Sequence, residues 1–338
     1  MAQTLVEASK LSNDVLQKGI LELLAKDDPI LEQLPFIEIL GNGLTYNVET
    51  TRSTAQFHGV GDTWVESTPT VTSATAALAI LGDDADVDGF LKATRANIND
   101  LMQEAIISKT LSIKESFGKE VLYGNLTDGI TLGFDGLHYL VRRNGSTAGS
   151  TNVNPNTVAV ATTSGTSKLL NLHRLDYAID LVKGESPASL ILMSKQMRRY
   201  LNVYLRSVGA YATQDFRGKI VQEYGGLPIA VSDLMRDNES ADLQYGVNEA
   251  GTAVYGHNHN DTDGGDDDGG TSIFVVSFGP KALQGIQAAG GITTVNVGDL
   301  ETKDAIRKRL KWYCGLMLQN VLSVTKVTGI DVDGVGAA

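Results

Sequence analysis

The sequence is short of several things, and each shortage removes a class of function. It has a single cysteine, Cys314, in 338 residues. No disulfide can close within one chain, so nothing marks an oxidising compartment. Positive charge is also scarce: 28 Lys and Arg stand against 40 Asp and Glu, a formal net charge of -12. Tight nucleic-acid binding needs clustered cations that displace counterions from phosphates, and this balance argues against it. There is no run of about 18 apolar residues to span a bilayer. The opening MAQTLVEASKLSNDV has no basic region followed by an apolar core, so it does not read as a signal peptide. The expectation is a soluble, cytosolic product that needs no membrane, and the Asn-x-Ser/Thr sequons at Asn125, Asn144, Asn238 and Asn260 are then chance matches. No GxxxxGK[ST], HExxH or CxxC motif is present. GESPA at 184–188 lies between a helical pattern and a strand pattern, the inverse of a nucleophile elbow. GVGDTW at 59–64 lacks the third glycine of a dinucleotide loop. No catalytic set emerges, and no cofactor is expected.

What the chain does have is glycine, 36 residues of it against 7 prolines, with 42% hydrophobic and 20% charged residues. That is a globular balance rich in turns. Its most unusual stretch is HNHNDTDGGDDDGGTS, 257–272. Asp261 and Asp263 begin like a calcium loop, but Gly265 falls where a third acid belongs and no Glu closes it. His257 and His259 at i, i+2 need further ligands to hold a metal. The reading is a surface loop. The alternatives are a weak cation site between subunits and a metal-dependent enzyme built on His257, His259 and Asp261.

The pattern along the chain is architectural. Residues 12–26 and 30–34 carry helical spacing, with Pro35 as the stop. LTYNVET, 44–50, and PTVTSATAALAIL, 69–81, read as two strands of a long excursion with Trp64 in the polar stretch between. Phe90–Phe117 has no Gly or Pro, and Asp86 and Asp88 before it suit a helix N-terminus. Leu91, Thr94, Ile98, Leu101 and Ala105 form one stripe of this spine, and Ile106, Ile113 and Phe117 continue on a shifted face. Helices are expected over 167–183 and 194–207, the latter capped by Ser194, and 281–289 has helical character. Strands are expected over 188–193, 220–232 and 272–279. Lys303, Arg307, Lys308, Arg309 and Lys311 form the one dense basic run. It is either a solvated face or a subunit contact to acids near 83–88. Trp312 and Tyr313 read as core or interface anchors.

Four stretches in order, VLYGN with FDGLHYLV, YGGLPIAVSDLM, SIFVVSFGPKALQGI and RLKWYCGLMLQNVLSVTKVTGI, resemble the major capsid proteins of tailed bacteriophages. The resemblance covers nearly the whole chain. It implies an α+β fold shared with encapsulins and the herpesvirus capsid floor. The implied parts are an N-terminal arm (1–40), an extended β-ribbon loop (41–84), a peripheral domain (85–165 and 291–338) on a spine helix (88–120), and an axial domain (166–290) with the Asp-rich insertion (237–270). It further implies self-assembly through hexamers and pentamers into an icosahedral shell around phage double-stranded DNA, bound without sequence specificity, in a virion assembled in the host cytoplasm. A portal and a decoration protein are implied partners, and a separate scaffolding protein is another, since there is no room before residue 40 for the large N-terminal scaffolding segment that some relatives carry. Some relatives crosslink through a Lys on the extended loop. No Lys lies between Lys26 and Lys92, so no such crosslink is expected. An encapsulin-like compartment is the alternative shell. Trp64, Arg307, Arg309 and Trp312 are the interface candidates. His257, His259, Asp261 and Asp263 are the weak metal candidates.

Overall fold

The computed structural model describes residues 16, 19–20, 23, 29–51, 53, 55–64, 66–68, 70–90, 98–126, 132–142, 157–159, 169–183, 187–209, 212–216, 219–237, 246–247, 253–254 and 270–331. The fold is α+β. Among the described residues the α-helices named here are α1 (Pro29–Gln33), α2 (Ile98–Tyr123), α3 (Leu137–Arg142), α4 (Leu172–Leu181) and α5 (Lys195–Val208). The strands through the middle of the chain are β1 (Phe36–Ile39), β2 (Gly43–Thr51), β3 (Thr70–Ala77), β4 (Ala79–Asp88), β5 (Thr157–Ala159), β6 (Leu190–Met193), β7 (Ala212–Phe216), β8 (Lys219–Tyr224) and β9 (Leu227–Val231). They are followed by β10 (Gly246–Val247), β11 (Ala253–Val254), β12 (Gly270–Val276), β13 (Leu283–Ala288), β14 (Thr293–Asp299), β15 (Ala305–Leu318) and β16 (Val324–Asp331).

Two sheets carry the core. A seven-stranded sheet runs β5-β16-β12-β6-β9-β8-β7. A five-stranded sheet runs β1-β13-β15-β14, with β4 along the other edge of β15. LILM of β6 and SIFVV of β12 are unbroken apolar runs because both faces of their sheet are covered. Leu190, Leu192, Phe274 and Val276 face one core with α2 and the five-stranded sheet. Ile191, Met193, Ile273 and Val275 face a second core under α4 and α5. Helix α5 starts where the Ser194 hydroxyl accepts from the Met197 amide, as the sequence predicts.

Two expectations change. Residues 281–289 are not helical: Leu283–Ala288 is strand β13, buried between β1 and β15. Inter-strand pairing overrides a helix-forming local composition here. The spine buries Met102, Ile106, Ile113, Phe117 and Val121, the expected shifted face among them, and Leu101 and Ala105 pack partly buried against the same core. Asp86 is not at the helix start. It lies inside β4, and only Asp88 does capping work, accepting from the Phe90 amide at 2.8 Å. Strand β13 lies in the five-stranded sheet and β16 in the seven-stranded one.

Strand β1 runs parallel to β13 with Phe36 opposite Gly285. A Cβ on Gly285 would sit 2.5 Å from the Phe36 ring. The missing side chain lets that ring reach Phe117 (6.2 Å between centroids) and Trp312 (5.6 Å).

Candidate assembly surfaces

Strands β2 and β3 form an antiparallel ribbon from Gly43↔Ala77 to Thr51↔Thr70. Its base is anchored: Tyr46, Ala74 and Ala76 pack with Ile286 and Met317 of the five-stranded sheet. Polar cross-strand pairs lie on the same stretch, with Thr45 and Thr75 hydroxyls 3.2 Å apart. Past Tyr46 the ribbon has no buried residue among those described. A two-stranded ribbon is marginal by itself in water, so it gains by lying on another surface.

At its far end the chain turns tightly, the Gly59 amide donating to Asp62 Oδ2 at 2.6 Å. His58 and Trp64 rings pack at 4.4 Å. Phe57, Val60 and Trp64 stand exposed at 108%, 110% and 81%. Three large apolar side chains exposed within eight residues make this turn a candidate interaction surface. Trp64 stood out in the sequence; Phe57 and Val60 did not, since nothing in their spacing distinguishes them from a polar turn.

The second surface is a charge ladder. β4 and β15 are antiparallel with Asp86 opposite Arg307 and Asp84 opposite Arg309. Period-2 alternation puts Ala85 and Val87 in the core and these acids on the outer face. Arg307 grips Asp86 with two bonds, at 2.7 and 2.8 Å. Arg309 grips Asp84 likewise, at 2.6 and 2.8 Å. Arg307 also reaches Asp84 at 3.1 Å, and Lys303 bonds Asp86. The basic run therefore meets the acids near 83–88, but within its own chain. The Arg307 guanidinium and Lys303 ammonium hold Asp86 well below the usual carboxylate range. The bond from Arg309 lowers Asp84.

The sign of the pH effect follows. A carboxylate whose native pKa is depressed stabilises the fold above its unfolded pKa of about 4, and that contribution fades as pH falls through the native value. Asp86→Asn is expected to cost about 1 kcal/mol at pH 7, since the pair is partly solvated. The gap between wild type and variant should begin to narrow as pH falls below about 4. Urea melts from about pH 7 to about pH 2.5 check this; a gap as wide at the low end as at neutral pH contradicts it.

Trp312, an interface candidate by sequence, is fully buried. It packs on Phe117 at 4.6 Å and its Nε1 donates to Gln287 at 3.4 Å. It is a core anchor and offers nothing to a neighbour. His257, His259, Asp261 and Asp263 lie outside the described residues. Among the described residues no group of three His, Cys, Asp or Glu is placed to hold a metal, and no helix is long and apolar enough to cross a membrane.

No protein-family profile matches the chain, and no curated protein does. Solved structures do. The SrpI encapsulin complex of Synechococcus elongatus aligns over 93% of this chain and 91% of its own, with TM-score 0.61 and 15% identity. The capsid of a native GTA particle aligns over 90% and 89%, at 0.56 and 12%. Microbacterium phage Oxtober96 aligns over 90% and 91%, at 0.53 and 13%.

The chain has the tailed-phage capsid fold. The arrangement recurs almost end to end at sequence identities where little local chemistry survives. In this capsid fold the ribbon, the α2 spine and the two sheets are continuous parts of one alignment, not a shared fragment. The proteins it resembles build shells.

Proposed function

We propose that this chain is a major capsid protein that assembles through hexamers and pentamers into an icosahedral shell around double-stranded DNA. The observation that carries the reading is the ribbon. It leaves the body of the subunit and ends in an exposed Phe57–Val60–Trp64 tip that its own chain does not cover. In a shell the tip lies on a neighbouring copy. The likeness to phage and GTA capsids over about nine-tenths of the chain supports this. The arm up to residue 40 and the ribbon are the parts that cross subunit boundaries. The five-stranded sheet with α2 forms the peripheral body, and the seven-stranded sheet with α4 and α5 the axial one. No catalytic role is assigned. The interior holds DNA by confinement, as the net charge of -12 offers no general grip on phosphates. Scaffolding, portal and decoration proteins complete assembly in the host cytoplasm.

A second reading is a protein compartment of the encapsulin kind, favoured by the SrpI alignment at TM-score 0.61. The two separate on what the particles contain. Electron microscopy with light scattering on the purified protein should show closed shells or capsomer rings. Particles from the native source holding nuclease-protected DNA support the capsid; particles holding a stoichiometric second protein and no DNA support the compartment. A lasting monomer, with scaffold supplied, defeats both.

Phe57→Asp with Trp64→Asp tests the ribbon. Both side chains are exposed, so subunit stability should change by less than about 0.5 kcal/mol. Shell yield should fall at least about tenfold, because each copy loses a desolvated contact. Normal shells from the double variant would remove the tip from the assembly contact.

A further inference from the structure

Asn42 lies where the ribbon leaves the body, between the end of β1 and the start of β2. It is exposed, and so is Gly43 after it. The stretch reads Gly41-Asn42-Gly43, so neither neighbour screens it with a side chain. The ladder fixes where the Gly43 amide points. The Leu78 amide donates to the Asn42 carbonyl at 2.9 Å, and Gly43 stands opposite Ala77. In an antiparallel ladder that bond makes Gly43 and Ala77 a non-hydrogen-bonded pair, whose amides point away from the partner strand. Thr45 and Thr75, two steps on, are of the same kind, and their hydroxyls come within 3.2 Å. β2 has no other neighbouring strand among the described residues, so the ladder leaves the Gly43 nitrogen open. Asn47 gives the contrast. The same alternation puts Val48 in a hydrogen-bonded pair with Thr72, which commits its amide. The Asn47 side-chain oxygen also accepts from Ser73 at 3.5 Å.

An exposed asparagine followed by a glycine with an open nitrogen is arranged for one reaction. The Gly43 nitrogen attacks Cγ of Asn42. A new C–N bond closes a five-membered imide, the C–NH2 bond breaks, and the amide proton leaves with the NH2 group as ammonia. Water then adds to either carbonyl of the ring and opens it. One opening gives aspartate; the other gives isoaspartate, with the main chain rerouted through the side chain. Water is the only co-reactant. The fold also accounts for the glycine. A Cβ on Gly43 would lie 2.9 Å from the Ala76 carbonyl oxygen, so the first pair of the ribbon has little room for a side chain.

We propose that Asn42 is a self-modification site, at which the folded chain converts asparagine to aspartate and isoaspartate with time. Each conversion puts a negative charge at the base of the ribbon, and the isoaspartyl form adds a carbon to the main chain there. The site lies on one subunit and does not rest on shell formation. The test incubates the full folded chain at neutral pH, then digests it with trypsin and follows the peptides by mass spectrometry. Residues 27–52 form one tryptic peptide that carries both Asn42 and Asn47. The other Asn-Gly, at 144–145, falls outside the described residues and in a different peptide. Asn42 should convert at least about tenfold faster than Asn47, whose follower Val48 is β-branched and stiff. The rate in the folded chain should stay within about tenfold of that in the free 27–52 peptide, since no opening has to precede attack. It should rise in alkali, because the attacking nitrogen must lose its proton. Asn42→Gln, at an exposed position, should abolish the conversion within the same incubation and leave the melting temperature unchanged. Asn42 converting no faster than Asn47 overturns the proposal. So does a folded chain that protects Asn42 more than about a hundredfold relative to the free peptide, since that means conversion waits on unfolding.

Discussion

Trp312→Ala is expected to destabilise the subunit by about 3–5 kcal/mol, the cost of deleting a buried indole and leaving a cavity. The environment argues for the upper end. Trp312 is fully buried, with Phe36 and Phe117 rings at 5.6 and 4.6 Å. Phe117 in turn packs on Phe134 at 5.5 Å. These rings come from β1, α2, the segment before α3, and β15, so they cannot all close on the void without moving separate elements. Removing the indole also strips the Gln287 side chain, itself buried, of the donor at its Oε1. Against a typical total of about 5–15 kcal/mol, the variant should accumulate as insoluble protein. Trp312→Phe should cost clearly less. Urea unfolding of dissociated subunits reads both, and an Ala variant within about 1 kcal/mol of wild type would mean the cluster is not a core.

Gly136→Ala should be nearly as damaging, for the opposite reason. The end of α2 and the start of α3 meet backbone to backbone: the Gly136 amide donates to the Gly124 carbonyl at 2.8 Å. A Cβ on Gly136 would lie 2.5 Å from the Glu120 carbonyl oxygen, 2.7 Å from the Gly124 nitrogen and 2.9 Å from the Val121 oxygen. All three are main-chain atoms of the spine, which no rotamer change can move aside. We expect a loss of about 3 kcal/mol, the upper end for forcing atoms into a filled site. The melting temperature should fall accordingly, and one unchanged to within a degree would show that the α2–α3 junction gives way freely.

These glycines explain why the fold could be reached from sequence. Gly124, Gly136 and Gly285 all lie in the stretches that resemble capsid proteins, and each marks a place where two parts of the chain touch without room for a side chain. Caps and doubly buried runs were equally legible: Ser194 opens α5, and LILM and SIFVV are central strands. The spine and the buried Ile106, Ile113 and Phe117 were legible from their spacing, while Ile107 and Leu111 are exposed apolar residues on the same helix that blur the stripe. β13 was misread because Leu283–Gln287 are all buried, which leaves no alternation to signal a strand. For the candidate surfaces, both halves of the Asp–Arg ladder stood out as charge runs more than 200 positions apart, but only the β4–β15 register shows that they belong to one chain.

The pairing of Phe36 with Gly285 has a consequence for synthesis. Strand β1 leaves the ribosome early, yet β13, its sheet neighbour among the described residues, is made roughly 250 residues later, and Trp312, which completes the ring cluster, later still. Such distant contacts repay the entropy of loop closure only at the end of folding. The nascent chain therefore spends most of translation with Phe36 and the base of the ribbon unburied. A chain built in this order has its native surface only after release, so growing chains on one polysome have no finished surface to offer one another.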